Sequence, residues 1–162
     1  MCANALNDHA VAIGWVRLIK RNTLGEVTFD GVYKNQLTTY ARQASAQLWI
    51  GQTLAAGTPS QIQVGNGSPT APMTGVDPTD SALWAAIPGS LKPMSAGYPT
   101  TWLTYNSQYS VDYQQTDCNG VWTEVGLFDS AGNMWSHVQI ANFAKDPAET
   151  VTVQWQVSHI AV

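Results

Sequence analysis

Charge is scarce in this chain. Asp, Glu, Lys and Arg together supply 11% of its 162 residues, less than half of the roughly 25% usual in soluble domains. The surface must therefore be covered by Thr, Ser, Gln, Asn and Gly, or by another protein, because interface cores are depleted in charge and enriched in aromatics. Seven basic residues against eleven acidic ones leave a net charge of -4. That balance argues against nucleic acid as a partner, since phosphates call for clustered Lys and Arg. Cysteine is nearly absent: Cys2 and Cys118 have neither metal-ligand spacing nor the number for a disulfide framework, and read as free or buried thiols. No apolar run approaches the roughly 20 residues of a membrane helix, and no basic segment followed by an apolar core marks a secretory signal. No membrane partner is expected.

Recognisable chemistry is equally thin. His9, His137 and His159 are scattered, and the last two fall in strand patterns, where a hydrogen-bonded structural role is the expectation. Glu124 reads as a carboxylate paired inside a sheet, with no second carboxylate at a motif spacing to share acid–base work. Asp129-Ser-Ala-Gly-Asn133 offers oxygen ligands but lacks the alternating acidic pattern of a calcium loop, and reads as a turn. Gly65-Asn66-Gly67 lacks the third glycine and the following helix of a dinucleotide fingerprint. Gly126, two residues after Glu124, marks a bulge or a close backbone approach. The expectation is no catalytic residue, no cofactor and no metal.

What the chain does have is aromatics, with seven Trp and six Tyr, set in alternating patterns. Tyr109, Val111 and Tyr113 alternate with polar neighbours, as do Val151, Val153, Trp155 and Val157, which is the period of two of a half-buried strand. Gly120–Phe128 and Met134–Ile140 flank the Asp129–Asn133 turn and read as a hairpin. The C-terminal third thus reads as an antiparallel meander. Gly14–Arg21 and Glu26–Phe29, joined by Asn22–Gly25, read as an opening hairpin, preceded by an N-terminal arm over residues 1–12. Four of the seven basic residues fall between Arg17 and Lys34, where Lys and Arg would discourage stray pairing at an edge. Leu37, Tyr40, Ala41, Ala44 and Leu48 recur at three and four, with Thr38 as N-cap and Gly51 as stop, so a single helix is expected there. Gln61–Gly65 reads as a short strand.

Most of the prolines lie between Gly65 and Pro99, where Gly and Pro interrupt any period. Asp77–Trp84 within it suggests one capped helical turn. A connection this long tends to be functional, and it reads as a contact loop standing outside the folding core. The whole is expected to be one mainly β domain over residues 1–162, an antiparallel β-sandwich or jelly-roll-like domain with one short α-helix and a long Pro-rich loop over 65–99.

Several short motifs carry a resemblance. Lys34-Asn-Gln-Leu-Thr38 opens the helix. Ile62-Gln-Val-Gly65-Asn-Gly67 is followed by Pro72 and by Asp80-Ser-Ala-Leu83. Trp122-Thr-Glu124-Val-Gly126-Leu-Phe-Asp129 is followed by Gly132, and Thr150-Val-Thr-Val-Gln-Trp155 closes the pattern. From Lys34 onward this order resembles a widespread group of small tailed-bacteriophage virion proteins. Gln36, where the group carries an aliphatic residue, and the stretch Pro88 to Pro99 depart from it. The resemblance implies a non-enzymatic structural role on the virion. The expected member is a capsid decoration (cement) protein, bound as a homotrimer to the major capsid protein on the outside of the shell. A tail-fibre or baseplate component is the alternative within that group. From a different class, a carbohydrate-binding β-sandwich would also account for many aromatics with few charges. The candidate partner-binding residues are Trp49, Pro72, Leu83, Trp84 and Trp102, because aromatic anchors dominate interface energies.

Overall fold

The computed structural model describes the backbone of residues 10–68, 75–101 and 106–161, and the side chains of residues 14–68, 75–101 and 106–158. The described residues are mainly β, about half of them in strands, with one helix. In chain order the elements are β1 (Ala10–Arg21), β2 (Val27–Lys34), β3 (Gln36–Leu37), α1 (Thr39–Trp49), β4 (Gln61–Gly65), β5 (Lys92–Pro93), β6 (Thr100–Thr101), β7 (Asn106–Tyr113), β8 (Gly120–Phe128), β9 (Met134–Lys145) and β10 (Thr150–Ala161). They form two antiparallel five-stranded sheets, ordered β2-β1-β10-β7-β6 and β3-β9-β8-β4-β5. The architecture is a β-sandwich, as the alternation in the sequence predicts.

The expected meander is corrected. β7 pairs with β10 from Tyr113↔Val151 to Asn106↔Ser158, while β8 and β9 pair with each other in the opposite sheet. The chain crosses between sheets from β7 to β8 and back from β9 to β10. Alternation shows which residues face inward but carries no record of which strand lies alongside. The arm also ends earlier than expected, because β1 begins at Ala10 and pairs with β10 from Ala10↔Ala161 to Arg21↔Thr150. Residues 1–9, Pro72 and Trp102 lie outside the described residues.

The core is the space between the sheets. Val16 and Leu18 of β1, Val153 and Trp155 of β10, and Val111 and Tyr113 of β7 meet Ile62 and Val64 of β4, Trp122, Val125 and Leu127 of β8, and Val138 of β9. Aromatic edges interlock: Tyr113 meets Trp122 with ring centroids 5.1 Å apart, and Phe29 meets Phe143 at 5.1 Å, both edge-to-face. Such contacts add about 0.5–1.5 kcal/mol each beyond the area they bury. Trp122 faces the core although Glu124, two residues on, faces out. A register irregularity between them, where β8 steps by two residues from Trp122 to Glu124 while β9 steps by four from Phe143 to Gln139, swaps the faces.

α1 forms where expected. The Thr38 hydroxyl accepts from the Ala41 amide, 3.2 Å away, and Gly51 takes φ +77 just past the C-terminus, where a side chain would be strained. Only Ala41 and Ala44 are buried on this helix. Leu48, counted on its apolar face in the sequence, is 42% exposed.

Candidate functional site

The outer face of the β8–β9 sheet is not left to solvent. Glu124, Gly126 and Phe128 of β8, with Met134 and His137 of β9, face away from the main core, and residues 75–90 lie across them. Leu83 is buried there with Phe128 and Met134 in a second apolar cluster. Ile87 packs against the main core, and Ser90, fully buried, donates its hydroxyl to the Val64 carbonyl. The long connection, expected to stand apart from the folding core, is anchored to it through Leu83, Ile87 and Ser90.

Glu124 organises that attachment. Fully buried, its Oε1 accepts from the amides of Gly67 at 3.1 Å and Ala85 at 2.8 Å. Its Oε2 accepts from the Trp84 amide at 2.8 Å and lies 2.9 Å from His137 Nε2. The other ring nitrogen, His137 Nδ1, lies 2.8 Å from Asp80 Oδ2, which also accepts from the Asp77 amide at 3.0 Å. The Trp84 ring stands edge-on to the imidazole, centroids 4.7 Å apart. Burial pushes the Glu124 carboxyl up, but His137 and the three amides together hold it below the ordinary glutamate range, because hydrogen bonds to a carboxylate favour its charged form.

The glycines around this carboxylate are where the sequence left them unexplained. A Cβ on Gly65 would lie 2.4 Å from Glu124 Oε1 and 2.7 Å from the Ala85 carbonyl oxygen, and one on Gly67 would lie 2.5 Å from the Ala85 nitrogen. Gly65-Asn66-Gly67 therefore exists so that two backbone segments can close on one side chain. Gly126 serves the same face: a Cβ there would lie 2.5 Å from the Phe128 ring and 3.0 Å from Leu83, the close approach expected of it.

Carboxylate, imidazole and carboxylate in line have the order of a catalytic relay, but the geometry is that of a clamp. His137 has no solvent exposure, and both of its nitrogens face carboxylate oxygens, so neither is free to take a proton from a bound molecule. Among the described residues no group of three or more His, Cys, Asp or Glu is arranged to hold a metal ion, and no helix is long and apolar enough to cross a membrane. A second polar knot sits at the β8–β9 turn. Asp129, fully buried, accepts from Tyr40 Oη at 2.9 Å, Trp135 Nε1 at 3.2 Å and the Ala131 and Asn133 amides at 3.0 Å each, tying α1 to the hairpin. The turn expected from Asp129–Asn133 is this one.

Of the candidate contact residues that are described, Trp49 stands on α1 and Leu83 and Trp84 on the long connection. Trp49 is 86% exposed and Ile50 72% exposed, forming with Leu48 an apolar tip at the C-terminal end of α1. Leu83 is buried, and Trp84 is half-buried beside His137. Asp77–Asp80 forms a single turn closed by the Asp80 amide on the Asp77 carbonyl at 3.0 Å, with the Asp77 carboxylate accepting from the Thr79 amide, 2.7 Å away, and no helix follows it. The sequence missed Asp80 as the second carboxylate of the clamp, because it lies far from Glu124 along the chain. Cys118, in a left-handed conformation, is a free thiol whose pKa is pushed up by burial.

Comparison with known proteins adds no assignment: no family model matches the chain, no curated protein matches it, and no solved structure matches it.

Proposed function

We propose that this chain is a virion structural protein, a decoration component that attaches to the outside of a capsid built from a major capsid protein. The observation that carries the reading is the tip Leu48-Trp49-Ile50. Three consecutive large apolar side chains stand 42%, 86% and 72% exposed on a chain whose surface is otherwise poor in charge, and an apolar cluster of this kind marks a place where a partner is buried. The clamped loop supports the same reading by holding residues 75–90 in one conformation before any partner arrives, which lowers the ordering entropy lost on binding. The test is to add the protein to capsids stripped of it. Capsid resistance to heat should rise, as binding to the assembled state requires, and Trp49→Ser should lose attachment while its own Tm stays unchanged. Recovery of the protein solely on purified tails, or retention of the isolated protein on immobilised glycan, would overturn the proposal.

A further inference from the structure

Among the described residues the sandwich has four sheet edges, and three are blunted. β3, β5 and β6 each run for two described residues, and β5 ends in Pro93. Short or proline-bearing edges are how sheets avoid pairing with other chains. The fourth edge, β2, is eight residues long, without proline, and ends its sheet. The positive charge of the opening hairpin does little to protect it, because Arg17, Lys20 and Arg21 sit on β1, one strand in from the edge.

The Asn35 amide donates to the Gly14 carbonyl, and the register runs Trp15↔Lys34, Val16↔Tyr33, Arg17↔Val32, Leu18↔Gly31. In an antiparallel pair the residues exchanging hydrogen bonds alternate with those that do not, so Asn35, Tyr33 and Gly31 turn their backbone groups toward β1. Asp30, Val32 and Lys34 turn theirs away, open to an added strand. An irregularity opposite Lys20 and Arg21 takes Thr28 out of the ladder, so the straight part of the edge begins at Phe29. Val32 is 59% exposed, and Phe29 and Tyr33, facing the opposite sheet, are only half-buried.

We propose that two copies of this chain pair through β2, antiparallel about a two-fold axis at Val32. With the axis there, Val32 faces Val32 of the second copy, and Asp30 of each copy faces Lys34 of the other. Each of these pairs exchanges both of its N–H···O bonds, so every open backbone group from Asp30 to Lys34 is satisfied. On the inner face Tyr33 lies across from Gly31, where there is no side chain to meet it. An axis at Asp30 would set two aspartates directly opposite, which is destabilising. An axis at Gly31 would set Asp30 against Val32. Asp30 is already held by Arg17 of its own chain through bonds of 2.7 and 2.6 Å, so Lys34 of the second copy would join an existing ion pair; only the Val32 axis sets a cation opposite Asp30 and the exposed valine opposite itself at once. Such an isologous pair closes with two-fold symmetry and replaces the expected homotrimer as the unit in solution. It rests on the edge alone, independently of the virion reading.

Sedimentation up to the millimolar range should show a mass rising to twice that of one chain. Val32→Pro removes an outward N–H and leaves the β1 ladder intact, and Val32→Glu sets like charges on the axis. Both should sediment as single chains with the far-UV circular dichroism of the parent. Residues exchanging both bonds stand about 5.5 Å apart at Cα, within the roughly 4.4–6.8 Å that a disulfide spans, so Val32→Cys should cross-link to itself under mild oxidation. Leu24→Cys, on the exposed hairpin turn, should not exceed the parent chain. A single-chain mass throughout, a dimer untouched by both Val32 variants, or Val32→Cys cross-linking no better than Leu24→Cys would each overturn the proposal.

Discussion

Replacing Glu124 by Gln changes almost nothing in shape and much in bonding. Oε1 keeps its two amide donors, Gly67 and Ala85. The amide nitrogen that takes the place of Oε2 meets the Trp84 N–H and His137 Nε2, at 2.8 and 2.9 Å in the parent. At the Trp84 N–H a donor is then set against a donor, and His137 Nε2 faces a neutral amide in place of a carboxylate, so the imidazole keeps only Asp80 as a charged partner. Hydrogen bonds to a charged group contribute roughly 1.5–3 kcal/mol each, and removing one partner of a buried pair costs about 3–5 kcal/mol. For a chain of this length each kcal/mol corresponds to roughly 2–4 °C in Tm, so the variant should melt roughly 6–20 °C lower. Urea unfolding gives the free energy, and limited proteolysis should find new cleavage between residues 66 and 90. The pH dependence sharpens the test. The folded Glu124 carboxyl is held below its ordinary value, so its stabilisation is complete above the usual carboxyl range near about 4.3. It is lost as the pH falls through the lower, folded value. The parent's stability should therefore fall through that acid window more steeply than the variant's. A Gln variant within about 1 kcal/mol of the parent at neutral pH, with no new cleavage, would refute the clamp.

Three further outcomes follow from the same packing. Asn35→Ala should leave stability unchanged or raise it by up to about 1 kcal/mol in urea unfolding, because both polar atoms of the buried Asn35 side chain have no hydrogen-bond partner; a loss above about 2 kcal/mol would mean that packing dominates. Gly67→Ala should lower Tm by several degrees, corresponding to about 1–3 kcal/mol of overpacking, since its Cβ would meet the Ala85 backbone at 2.5 Å, whereas Gly57→Ala, with nothing within 4 Å, should show only the penalty of its φ of +72, about 1 kcal/mol. Asp129→Ala should lose about 1–3 kcal/mol for each donor left without its acceptor, Tyr40 and Trp135 among them, with a change in the near-UV circular dichroism of Trp135 as the check.

The sandwich was legible because its strands are written in period two and α1 in period three to four, with Thr38 and Gly51 as punctuation. What the sequence could not carry was anything joining distant stretches. Val111 and Val153 read as inward-facing, yet nothing local says that β7 lies beside β10 and not beside β8. The same limit hid the clamp. Glu124 and His137 read as a paired carboxylate and a hydrogen-bonded histidine, which they are, but Asp80 and the reason for Gly65 and Gly67 appear only when the long connection folds back over β8. Its prolines made that connection look detached. In fact they break the period while Leu83, Ile87 and Ser90 do the anchoring, three residues too widely spaced to form a pattern.

The pairing of β1 with β10 along their whole length bears on the order of events as the chain is made. β1 leaves the ribosome before β10, with β2 beside it, and its other edge waits for Thr150–Ala161 to emerge. Loop closure across so much chain is slow, and until it happens the first hairpin exposes an unpaired, apolar strand of the kind that seeks other chains. The same twelve-residue ladder that locks the finished sheet therefore leaves one edge of the nascent β1 open until the last strand arrives.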